Sequence, residues 1–123
     1  MMTFDDTVGG KEDMLVMTDV QTLLAQNLKK YREISGLSQA ALAEKANCST
    51  TFIGNIEIKK RFPSSQYIDR IAKALDVKPA ALFAEELDPE AIALYADTQR
   101  RKAQLEKDVI KAVSKVFRES EAE

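Results

Sequence analysis

Ser49, Thr50, Thr51 and Asn55 are short, neutral, hydrogen-bonding side chains crowded into one stretch, and the cations Lys59, Lys60 and Arg61 follow directly. Thr methyl groups can touch thymine, an Asn amide can pair with adenine through two hydrogen bonds, and cations beside such a surface can meet backbone phosphates. These are the means for reading base edges in a double-stranded DNA groove. Other chemistry is poorly supplied. With no His and one Cys, Cys48, the chain is expected to hold no metal, no internal disulfide and no His-based acid or base. There is no paired nucleophile and base and no Gly-rich phosphate loop, so neither an enzyme nor a cofactor is expected. Cys48 has only Lys45 as a basic neighbour in sequence and reads as an inert turn residue rather than a redox sensor.

Such side chains need a helix with one buried and one open face. Ser49 is a good N-cap for a helix from Thr50 to Ile56 in which Ile53 and Ile56 turn inward, leaving Thr50, Thr51, Gly54 and Asn55 open. The preceding helix starts after Ser38 and runs to about Ala46, with Leu42, Ala43 and Ala46 inward. Ala43 is small enough for the two helices to approach closely, and Asn47 can take the positive φ that a tight turn needs. Two short helices joined this way can present the second to a major groove.

The remaining segments frame that pair. A first helix is expected from Thr18 as N-cap, with Gln21 completing a capping box, an apolar stripe of Val20, Leu23, Leu24, Leu28 and Tyr31, and Gly36 as the stop. A fourth follows Pro63 and Ser64, with Ile68, Ile71, Ala72 and Leu75 inward, and a short fifth opens at Pro79 with Leu82 and Phe83. Asp88 as cap and Pro89 at the first position signal a long sixth helix to about Arg118. In it Leu105, Val109, Ala112 and Val116 recur at helical spacing, with Ile110, Val113 and Phe117 adjoining. Thr98 to Lys102 interrupt the apolar pattern, and a bend or break is expected there. No segment alternates with period two, so the fold class is all-α.

Charge supports the same division. Residues 1–20 hold one Lys against five acids, 21–84 ten cations against five acids, and 85–123 seven against ten. The net charge of −2 therefore conceals a basic island between acidic flanks, and a basic island attracts phosphate by counterion release. The domain reading is a flexible tail over 1–17, a DNA-binding domain over 18–86, an amphipathic helix over 87–119 and a short flexible tail over 120–123. Met14 and Met17 are alternative initiation points. No apolar run nears the roughly eighteen residues of a membrane span, and the acidic start lacks a signal-peptide pattern, so a cytoplasmic location is expected.

Arg32, Gly36, Leu37, Ser38, Gln39, Leu42, Ala43, Ser49, Ile53, Ile56, Glu57, Pro63, Ile68, Ile71, Ala72 and Leu75 stand in one register. In that register residues from about Leu24 to Phe83 resemble the helix-turn-helix domain of the phage Cro and repressor type, a five-helix module of bacterial transcription regulators. The resemblance implies a phosphate contact and a bracing role for Gln39, and base reading by Thr50, Thr51 and Asn55 with Ser49 beside them. It also implies a partly buried ion pair between Arg32 and Glu57. Two residues depart from the pattern: Asn47 replaces the common Gly of the turn, and Ile58 stands where a small or polar residue often precedes a Gly. The expected function is a sequence-specific regulator, a repressor, acting as a homodimer on a near-palindromic operator. Leu105, Val109, Ile110, Ala112, Val113, Val116 and Phe117 would mediate association, with parallel and antiparallel pairing both open. The alternative is an antitoxin or adaptor of the same fold whose C-terminal helix binds a protein partner.

Overall fold

Four successive helices begin with the same device. In the computed structural model, which describes residues 19–122, the side chains of Asp19, Ser38, Ser49 and Ser64 accept from the backbone N–H groups of Thr22, Ala41, Phe52 and Tyr67. They open α1 (Val20–Ile34), α2 (Gln39–Ala46), α3 (Thr50–Glu57) and α4 (Ser65–Leu75). Each such cap contributes about 1 kcal/mol. The tail over residues 1–17 lies outside the described residues. So does Thr18, and the cap expected there is a correction: Asp19 performs it, because a carboxylate both accepts from Thr22 and suits the positive end of the helix dipole. The Thr22 N–H holds the Asp19 carboxyl below its ordinary range.

The ends of these helices are also alike. After α1 the N–H of Leu37 returns to the Arg32 carbonyl and that of Gly36 to Glu33, with Gly36 at φ +72°. The same paired closure follows α2, α3 and α4, where Asn47, Lys59 and Asp76 take positive φ. Caps and stops of this kind set four short helices at fixed angles, and their apolar faces then converge. Leu24, Leu28, Leu42, Ile53, Ile56, Ile71, Leu75 and Leu82 are fully buried, and Ala43 and Ala46 are buried with them. Burying each of the larger side chains contributes roughly 1.5–3 kcal/mol. Val20 departs from the expected stripe, being 55% exposed on the first turn of α1, and Ile68 is only half-buried.

The expected fifth helix is a 3-10 turn, Pro79–Phe83, that drops Leu82 into the core. It is pinned from α1. Buried Asn27 donates from Nδ2 to the carbonyls of Leu82 (3.1 Å) and Ala84 (2.9 Å), satisfying backbone groups that the turn leaves open.

The chain divides between Glu86 and Leu87 into two units. The second holds α5, a single helix Pro89–Ala122, and the bend or break expected at Thr98–Lys102 is absent. That stretch contains no Gly or Pro, and Asp97 pairs with Arg100 and Arg101 one turn on, so its polar residues support the helix rather than interrupt it. The helix also continues past residue 119, where a short tail was expected. No strand occurs among the described residues, and no helix is long and apolar enough to cross a membrane.

Candidate nucleic-acid interface

Ile53 and Ile56 seat α3 in the core, and their burial dictates what the other side shows. Thr50 and Thr51 are exposed on the first turn, and Asn55 is half-buried one turn further on the same open side. Ser49 faces this surface too, although its Oγ is engaged as the cap acceptor for Phe52. Thr51, Asn55, Ser49 and Arg61 line a common shallow cleft of about 460 Å³ with Cys48, Phe52 and Tyr67. The structure thus brings four of the expected DNA-facing residues together.

The helix is braced from behind. Arg32 donates through Nε to Glu57 Oε2 at 2.6 Å and through a terminal nitrogen to Oε1 at 3.1 Å, while its other terminal nitrogen reaches the Leu37 carbonyl at 2.8 Å. Gln39 adds a fourth bond, donating to Glu57 Oε1 at 3.0 Å. The side chains of Arg32 and Glu57 are 11% and 4% exposed, so the pair is desolvated and its geometry is two-pronged. Its hydrogen bonding to Glu57 holds the Arg32 guanidinium charged more firmly than usual. The network ties the first turn of α2 and the last turn of α1 to the last turn of α3. Gln39 lies over Gly54: a Cβ there would sit 3.4 Å from Gln39 Oε1, an ordinary van der Waals contact. Gly54 is half-buried beside Gln39.

The cations after α3 divide into two groups. Lys59, at φ +65°, turns toward α1, where its ammonium donates to Thr22 Oγ1 at 3.2 Å and its carbonyl accepts from Gln21 at 2.8 Å. Lys59 is exposed, and the phosphate contact expected of it would exchange the Thr22 hydroxyl for a phosphate oxygen. Lys60 and Arg61 remain exposed, and the Arg61 guanidinium lies 5.5 Å from the centre of the Phe52 ring. Phe52 in turn packs on Tyr67 at 4.9 Å, and Arg70 covers Tyr67 at 4.7 Å while donating to the Asn47 carbonyl in the turn. Phe52, Tyr67 and Arg70 were not legible as site residues, because the contacts that bring them together, Phe52 to Tyr67 and Arg70 to the Asn47 carbonyl, span fifteen and twenty-three positions. Burial pushes the Cys48 thiol pKa up, with Arg70 opposing more weakly.

A helix-turn-helix family model matches residues 28–82, which span α2, α3 and the elements that brace them. The control protein C.SmaI of Serratia marcescens is 35% identical over 68 residues, covering 55% of this chain and 81% of that protein. The chain belongs to the helix-turn-helix family. The immunity repressor protein of Bacillus phage phi105 is 31% identical over 99 residues, covering 80% of this chain and 65% of the repressor. Among solved structures, the restriction-modification controller protein C.Esp1396I, a tetramer in complex with its natural 35 base-pair operator, superimposes with a TM-score of 0.50 at 25% identity. That match covers 65% of this chain and 97% of the controller protein.

Against the helix-turn-helix pattern, the two departures have structural accounts. Asn47 takes φ +57° in place of the turn Gly, which Asn tolerates because its short polar side chain fits the left-handed region. Ile58 is exposed, and it is Lys59 after it that occupies the positive-φ position. The Lys60 N–H still closes onto the Asn55 carbonyl at 2.8 Å, so the loop keeps its shape without Gly.

Proposed function

We propose that this chain is a sequence-specific, double-stranded DNA-binding transcriptional regulator, a repressor, that acts in the cytoplasm as a homodimer on a near-palindromic operator. The observation that carries the reading is α3 itself: its open side bears Thr50, Thr51 and Asn55, and Glu57, Gln39 and Arg32 hold it rigid from behind. A rigid short-side-chain helix can enter a major groove without losing much freedom on binding. In this reading Thr50, Thr51 and Asn55 meet base edges, Gln39, Lys59, Lys60 and Arg61 meet phosphates, and α5 brings two subunits together. The chain acts by binding and needs no enzyme activity or cofactor.

Replacing Asn55 by Ala is expected to cost about 1–3 kcal/mol on the operator and to relax preference at one base position. Selection from random DNA with both proteins checks this, and an equal loss on all sequences would remove Asn55 from base reading. Lys60→Ala should weaken binding on every sequence alike and lower the log–log salt slope by about one. Filter binding across a salt series reads that slope directly. A second reading, a regulator whose α5 engages a different protein, draws on the same exposed apolar residues. It predicts a monomer in the absence of that protein.

A further inference from the structure

Two cations beside α3 are held by rings and not by acids. Among the described residues neither Arg61 nor Arg70 makes an ion pair with a carboxylate. The Arg61 guanidinium lies 5.5 Å from the centre of the Phe52 ring and that of Arg70 lies 4.7 Å from the centre of the Tyr67 ring. The two rings pack on each other at 4.9 Å with their planes tilted by 57°. Cation, ring, ring and cation thus form one continuous row. Tyr67 and Arg70 stand one turn apart on α4, Phe52 lies in the first turn of α3, and Arg61 follows α3 in the loop.

We infer that Phe52, backed by Tyr67 and Arg70, is a positioning residue that holds Arg61 ready for a DNA backbone phosphate. This rests on the DNA-binding reading above and adds the means by which one of its contacts is set. A carboxylate can fix an arginine only by cancelling its charge, as Glu57 does for Arg32. A ring face attracts the guanidinium through its quadrupole and leaves the net charge and the outward N–H donors for an anion. Arg61 is exposed, so without the ring it would lose the rotamer freedom of an unheld side chain when it met DNA.

Both ends of the row are anchored. The Arg61 N–H donates to the Asn55 carbonyl at 3.2 Å, which fixes where its side chain leaves the loop. At the far end Arg70 donates to the Asn47 carbonyl at 3.1 Å, in the turn between α2 and α3. Phe52, Tyr67 and Arg70 are half-buried, whereas Arg61 is exposed, so the row is firm at the turn and open at its phosphate end. Phe52, Tyr67 and Arg61 line one cleft with Thr51 and Asn55, which places the held guanidinium beside the side chains proposed to meet bases. A phosphate contact fixed there sets the register in which α3 meets the groove.

A double-mutant cycle on the full chain tests the assignment, with a duplex that the unsubstituted chain selects from random DNA as the probe. Arg61→Ala should weaken binding about tenfold and Phe52→Leu about threefold to fivefold. In the Arg61→Ala background Phe52→Leu should weaken it by less than about twofold more, because the side chain it positions is gone. A role confined to folding gives the same loss in both backgrounds. Tyr67→Leu removes the supporting ring without altering α3 and repeats the cycle should Phe52→Leu fail to fold, whereas Tyr67→Phe should bind within about twofold of the unsubstituted chain. Three results would overturn the assignment and leave the DNA-binding reading standing: equal losses in both backgrounds, full binding by Arg61→Ala, or a Tyr67→Phe loss as large as that of Tyr67→Leu. Failure of the unsubstituted chain to select any duplex would overturn both.

Discussion

Glu57→Ala is expected to destabilise the DNA-binding unit by about 3–5 kcal/mol, because it strands a buried guanidinium. Three hydrogen bonds end on the Glu57 carboxylate, two from Arg32 and one from Gln39, and the side chain is 4% exposed. Water cannot replace what is lost without opening the space between α1, α2 and α3. Urea unfolding checks the magnitude, and a loss below about 1 kcal/mol would show that the pair behaves as a solvated surface contact. Replacing both partners, Arg32→Met with Glu57→Leu, should recover much of the stability, since no charge is then left buried. Operator binding should not recover to the same degree: Gln39 would lose its acceptor, and with it the brace across Gly54. The double variant therefore separates holding the fold from holding the recognition helix.

The second large effect is at Asn27, whose amide bridges two carbonyls at the end of the first unit. Asn27→Ala leaves the Leu82 and Ala84 carbonyls without their donor and opens a small void, a loss of roughly 2–4 kcal/mol at 1–3 kcal/mol per unsatisfied group. Hydrogen exchange should show early loss of protection around Leu82. Asn27→Asp keeps the shape but, when ionised, sets a buried carboxylate against two carbonyls. Its pKa is then raised in the folded state above its unfolded value. Stability of that variant relative to the native chain should consequently improve as pH falls through the folded-state pKa and worsen as pH rises. A flat pH difference between the two proteins would show that the position is hydrated.

Much of the fold was legible because its signals are local. Ser38, Ser49 and Ser64 act within three residues, as caps do, and the inward spacing of Leu42, Ile53, Ile56, Ile71 and Leu75 follows from helical period alone. Asp19 was missed in favour of Thr18 because both are competent caps one position apart, and only the backbone geometry separates them. The expected interruption at Thr98–Lys102 failed for a related reason. Polar composition was read as a boundary, while the pairing of Asp97 with Arg100 and Arg101 makes the same residues compatible with an unbroken helix.

The candidate site divides in the same way. That Thr50, Thr51 and Asn55 face outward follows from the burial of Ile53 and Ile56, which period alone implies. That Arg32 reaches Glu57 came from resemblance, and the structure adds the Gln39 and Leu37 bonds that complete the network. Lys59 and Lys60 are adjacent and alike in charge, and nothing in their types predicts that one turns to Thr22 while the other stays open.

By itself the sequence determined the all-α class, the serine caps that open α2, α3 and α4, and which side of α3 is free, because caps, turns and apolar period act over a few residues. Only the tertiary structure decided the surroundings of Asn27, Gly54 and Lys59, the packing of Arg61 on Phe52, and the closeness of Arg70 to Cys48. Those depend on which side chains meet between separate elements of the fold. The packing of one helix on another selects such meetings, and no short-range preference of the chain encodes them.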